Sequence, residues 1–179
     1  FSDMDPEALD PLHLNDIEVV TPALAAKIPG VAPGDLLLSL RNPSALAIAD
    51  PVTGAFKWMK SGPWIAQHDP DITADGRIEV YDNGLLRRLP GRDFPGSRIL
   101  SYDPATDRAE TLYPVNRDEG FFSWIMGTHQ ALPNGDRLIT ETAAGRVFEV
   151  SPEGEIVWSL VLPATKDTAA LVESGLRIP

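Results

Sequence analysis

The sequence predicts an all-β fold, a β-propeller of about three four-stranded blades, and three observations lead there. A pair of turn signals recurs three times along the chain, short runs rich in β-branched and aromatic residues lie between the turns, and each repeat opens with a histidine. Gly 14 and Pro 17 are a high turn-residue load for 179 residues, and they fall singly between apolar runs, as many short strands require.

The first turn of each repeat is built on glycine: Pro33-Gly34-Asp35, Asp75-Gly76-Arg77 and Asn134-Gly135-Asp136. The second carries proline at Asp50-Pro51, Asp103-Pro104 and Ser151-Pro152. Gly34 to Pro51 and Gly135 to Pro152 are both 17 residues; the middle repeat has 28, the excess being a Gly/Pro/Arg-rich loop from Leu85 to Gly96. First strands begin near His13, His68 and His129. Second strands are expected at Leu36 to Arg41, Arg77 to Asp82 and Arg137 to Thr142, and third strands at Ala45 to Ala49, Arg98 to Tyr102 and Arg146 to Val150. Fourth strands follow at Ala55 to Met59, Arg108 to Tyr113 and Glu155 to Leu160, with Trp58 and Trp158 each four residues after a turn glycine. This divides the chain into a lead-in over 1–12, blades over 13–61, 62–117 and 118–163, and a tail over 164–179. In that tail Asp167 to Gly175 reads as a short helix or linker. Three blades would leave two apolar faces open, so the stretch is expected to belong to a larger ring or to pair with a second copy.

The formal charge of -11 and the lack of any Lys/Arg run beyond Arg87-Arg88 argue against a nucleic-acid partner. Without cysteine there is no disulfide, thiolate nucleophile or thiolate metal ligand. No apolar run reaches the ~18 residues of a membrane span, so any membrane attachment would come from a segment outside this sequence.

The histidines carry the functional argument. All three open their repeats, and the first strand of a propeller blade lines the central channel, so the side chains are expected to converge there. Three imidazoles with Asp16, Asp69 and Asp71 could hold a metal, or they could supply a nucleophile and acid/base partners. The run Asp82-Asn83-Gly84-Leu85-Leu86-Arg87 favours the second reading, because a guanidinium near the channel suits an anionic substrate.

These pieces resemble the arylsulfotransferase family of bacterial six-bladed propellers. The resemblance rests on Gly62-Pro63-Trp64 leading to Gln67-His68-Asp69, on Tyr81-Asp82-Asn83-Gly84 and on His129-Gln130-Ala131-Leu132-Pro133-Asn134-Gly135. It implies a six-bladed ring and sulfuryl transfer from a phenolic sulfate ester to a phenol, through a sulfated histidine and without a nucleotide donor or other cofactor. By the same resemblance His129 would be the nucleophile, with His68 and His13 assisting. Arg87 or Arg88 would hold sulfuryl oxygens, Asn83 would contact substrate, and the protein would act in the periplasm. Phe122 and Trp124 are placed to stack on an aryl group, although with Phe121 they also suit a blade core. Two other functions fit the residues: a metal-dependent propeller hydrolase or lyase, and a non-catalytic propeller that binds a partner.

Overall fold

The computed structural model describes residues 10–84, 96–115, 120–164 and 170–178. The chain divides into two compact units, Phe1–Val80 with Ser101–Ala109, and Tyr81–Leu100 with Glu110–Pro179.

Twelve strands form three four-stranded antiparallel sheets, each running outward in chain order. The first holds β1 (Leu14–Val19), β2 (Leu36–Leu40), β3 (Ala45–Ala49) and β4 (Phe56–Ser61), the second β5 (His68–Ile72), β6 (Ile78–Asp82), β7 (Arg98–Asp103) and β8 (Arg108–Tyr113). The third holds β9 (Thr128–Ala131), β10 (Arg137–Glu141), β11 (Arg146–Val150) and β12 (Ile156–Val161). Every strand read from the turn signals is present, with ends shifted by two residues at most.

The turns explain that agreement. At each proline turn the preceding Asp or Ser binds backbone N–H groups just ahead of it. Asp50 Oδ1 accepts from Val52 and Thr53 (both 2.9 Å), Asp103 Oδ1 from Ala105 (3.1 Å) and Ser151 Oγ from Glu153 (3.2 Å). At each glycine turn the residue closing the first strand pairs with the turn through its own backbone. Val20, Thr73 and Leu132 donate N–H to the carbonyls of Asp35, Arg77 and Asp136, and accept from Gly34, Gly76 and Gly135.

Two elements depart from the expectation. A single helical turn, α1 (Pro22–Ala25), is capped by the Thr21 hydroxyl and lies inside a long β1–β2 connection. That connection buries Leu24 and Ile28, and it passes so close to Gly76 that a Cβ there would stand 2.4 Å from the Ala23 carbonyl oxygen. The helix expected from Asp167 to Gly175 is absent from 170–175, its described part. Those residues spend their hydrogen bonds on the third sheet instead: Gly175 N–H donates to Thr140 Oγ1 (2.8 Å) and Arg177 N–H to Gln130 Oε1 (2.9 Å).

Register assigns the faces. In the first sheet Ile17, Leu38, Ala47 and Met59 lie abreast, and Glu18, Leu37, Ile48 and Trp58 occupy the opposite face. Trp58 and Trp64 pack on Tyr102, with ring centroids 6.4 and 5.4 Å away. In the third sheet Ile139 and Phe148 share a face with His129. They join an aromatic core with Tyr81, Tyr113 and Phe121, whose rings meet at 5.6–5.8 Å.

Candidate active site

The glycine-turn hydrogen bonds supply a common origin for the first strands, and from it the three histidines are not equivalent. His13 stands seven residues before Val20, His68 five before Thr73 and His129 three before Leu132. The position of His129 is filled by Ile17 in the first sheet and Pro70 in the second. Each two-residue step is about 6.6 Å of strand. The expectation of one shared repeat position is therefore corrected: His129 sits furthest along its strand, and His13 lies outside β1 altogether. The sequence held the signal, since His68 precedes Gly76 by eight residues and His129 precedes Gly135 by six.

In the first unit, His13 has a φ of 48° and a half-exposed ring whose Nδ1 lies 3.1 Å from Asp10 Oδ2. Its carbonyl accepts from the Arg41 N–H. His68 opens β5 and is half-buried; the chain just before it is tied to β1 by Asn15 Nδ2, which donates to the Gln67 carbonyl (2.8 Å). Gln67 itself is buried, and its Nε2 reaches Ser39 Oγ and the carbonyls of Leu40 and Ala45.

Beside these residues lies a set of carboxylates that do share a repeat position. Asp16 and Asp69 each stand four residues before the strand-closing residue. Burial pushes the Asp16 carboxyl above its usual range and the charge of Asp69 adds to this, against a hydrogen bond from the Ile17 N–H. Glu18 is raised by burial and by both aspartates. Asp71 follows Asp69 on β5.

In the second unit, His129 is 5% exposed, in the middle of β9 and opposite Ile139. The run-in to β9 is held by a buried polar network. Asn83 Nδ2 donates to the carbonyls of Ser123 (2.9 Å) and Met126 (2.7 Å), and Ser97 Oγ receives the Ser123 N–H (3.0 Å). Ser123 Oγ donates to the Ile125 carbonyl and accepts from the Ala143 N–H. Asn83 is 0% exposed with both amide hydrogens on backbone carbonyls. Gly127 completes the run-in: a Cβ there would meet Tyr81 Cζ at 2.3 Å, with φ at +102°. Ser97, Ser123 and Gly127 are residues that sequence reasoning missed, and Tyr81 entered it only through the family resemblance. They are far apart in the chain.

Trp124, on the same run-in, is 51% exposed. Phe122 is half-buried, and its N–H donates to Glu141 Oε1 (2.7 Å); Phe121 is in the core. Arg87 and Arg88 lie outside the described residues. Asp82, two residues into the second unit, pairs with Arg98 at 2.7 Å and accepts the Gly84 N–H, fixing the strand end from which that loop departs.

Among solved structures, the WD40 β-propeller domain of Doa1 is 17% identical with a TM-score of 0.54, over 84% of this chain and 41% of that one. A protein of unknown function from Bacteroides caccae is 18% identical (TM-score 0.43, covering 73% and 43%). Virginiamycin B lyase from Staphylococcus aureus is 14% identical (TM-score 0.46, covering 83% and 46%). The chain thus spans less than half the length of these proteins. No curated protein matches it. Residues 2–162 match the arylsulfotransferase (ASST) family, and with the three propeller-type sheets in place the chain belongs to that family.

Proposed function

We propose that this chain carries the nucleophile of an aryl sulfotransferase, and that the nucleophile is His129. The observation that supports the choice is placement: His129 alone of the three histidines is buried within a first strand, at the end of a run-in rigidified by Asn83, Ser97, Ser123 and Gly127. A nucleophile gains most when its approach is fixed in advance.

In the first half-reaction a ring nitrogen of His129 attacks the sulfur of an aryl sulfate ester. The N–S bond forms as the S–O bond to the aryl group breaks, and the phenolate leaves with a proton from a general acid. In the second, a phenol oxygen attacks the same sulfur, the new S–O bond forming as the N–S bond breaks, and the phenol's proton passes to that group acting as base, which restores the imidazole. His68 and His13 are the assisting groups on this reading, Trp124 and Phe122 line the aryl side, and Arg87 or Arg88 meets the sulfuryl oxygens. No cofactor enters either step. Action in the periplasm belongs to the same proposal.

The test is steady-state release of 4-nitrophenol from 4-nitrophenyl sulfate with a phenol acceptor present. His129→Ala should lose at least about 1000-fold in kcat, as removal of a nucleophile does. An unchanged rate would remove His129 from the chemistry. One observation favours the metal-dependent alternative, the shared repeat position of Asp16 and Asp69, with the Asp16 carboxyl raised by burial; turnover abolished by a chelator and restored by a divalent cation would decide for it.

A further inference from the structure

Glu141 carries a buried carboxylate that the proposed chemistry leaves unused. It closes β10 opposite Arg146, is 7% exposed, and its two oxygens have different partners. Oε2 pairs with Arg146 Nε at 2.7 Å, and that guanidinium lies over the Phe148 ring, 4.1 Å from its centre. Oε1 reaches out of the sheet and accepts the Phe122 N–H at 2.7 Å. A charged acceptor makes this one of the stronger hydrogen bonds open to a backbone amide. A carboxylate so deeply buried is costly unless its oxygens are satisfied in this way.

The segment that Glu141 reaches is held from two directions. On one side the Phe121 carbonyl accepts the Ser97 N–H (2.8 Å) and Ser97 Oγ accepts the Ser123 N–H (3.0 Å). Gly96 backs this side so closely that a Cβ there would stand 2.2 Å from the Phe121 carbonyl oxygen. On the other side Ser123 Oγ accepts the Ala143 N–H (3.1 Å), and Glu141 holds the residue between. Trp124 follows at once and is 51% exposed. An indole presented to solvent from a backbone pinned at three consecutive residues is a preformed surface for a flat ring, because little conformational freedom is left to lose on contact.

On the reading that Phe122 and Trp124 line the aryl side, on which this inference rests, we propose that Glu141 is the positioning residue of the aryl subsite. Its carboxylate fixes the backbone at Phe122, and through it the orientation of the Phe122 and Trp124 rings toward an aryl sulfate. It acts through that backbone and takes no part in sulfuryl transfer, so its contribution falls on aryl binding.

The probe is 4-nitrobenzenesulfonate, an aryl anion whose carbon–sulfur bond is not transferred, titrated calorimetrically into the full-length protein. Glu141→Met and Glu141→Gln both remove the charge facing Arg146, but only Gln keeps an oxygen for the Phe122 N–H. With circular dichroism showing both folded, Glu141→Met should raise Kd about 10-fold and Glu141→Gln less than about 3-fold. Trp124→Ala should also weaken binding, and adding Glu141→Met to it should cost little more, because the two act through one contact. In the unaltered protein, where no variant has to fold, the Phe122 amide should be protected from deuterium exchange. Equal Kd values for Met and Gln, full additivity with Trp124→Ala, or an unprotected Phe122 amide would overturn the proposal while leaving a sulfuryl adduct on His129 to stand. Sulfonate binding that follows the expected pattern, with no adduct on His129, would remove the nucleophile and support the role of Glu141. No binding by the unaltered protein would overturn the aryl subsite and Glu141 with it.

Discussion

Gly127 shows how a single position can control the candidate nucleophile. The Tyr81 ring occupies the space its side chain would need, and its φ lies where L-residues are strained. Gly127→Ala should therefore destabilise the protein by about 2–4 kcal/mol, measurable by urea unfolding, and should lower turnover in the protein that remains folded; a change under 0.5 kcal/mol would contradict the packing. Asp16 makes the opposite case. Its carboxyl is raised by folding, so the native state binds more protons than the unfolded state, and stability is lost as pH rises from the ordinary carboxylate range through the raised value. Asp16→Asn should raise Tm by about 1–2 °C at pH 7, and the gain should vanish below pH ~3.5, where both states are protonated. Equal effects at both pH values would mean that the charge is not the cause. Neither role was legible beforehand, because Gly127 depends on a ring 46 residues upstream and Asp16 first on burial and then on a charge 53 residues downstream.

At the level of elements, the strands were legible because their boundaries are chemical. Each Asp-Pro or Ser-Pro turn satisfies its own backbone locally, so the turn residues are visible without knowledge of the fold. Asp50 is the strongest instance: two backbone N–H groups and Lys57 hold its carboxyl down to about 2. Its folded value is depressed, so its contribution is present above the ordinary carboxylate range and is lost as pH falls toward 2. Asp50→Ala should lower Tm at pH 7, with the difference closing at pH 2, as thermal scans across that range would show; a gap that persists at pH 2 would point to packing. α1 escaped notice although Thr21-Pro22 is a helix-start signal, because one turn has no hydrophobic period to read. The tail read as a helix failed for the converse reason. Its Ala-rich composition is weak against the hydrogen bonds that Thr140 and Gln130 offer to an extended chain.

For the whole molecule, the repeat predicted the architecture correctly. The recurrence of turns establishes three similar sheets, and it led to a channel with three matching histidines. Counted from the glycine turns, however, the three histidines stand at different strand positions, and the residues that share one are Asp16 and Asp69. The family match supports the proposed class of chemistry, and burial and a fixed approach support the proposal of His129. The account thus rests on a covalent intermediate at that residue, which intact-mass spectrometry after a brief incubation with 4-nitrophenyl sulfate, without acceptor, would test most directly. The predicted result is a mass gain of one sulfuryl group, mapped by peptide fragmentation to His129 and discharged by added phenol. Phenol release by folded protein with no adduct, or an adduct on another residue, would contradict it.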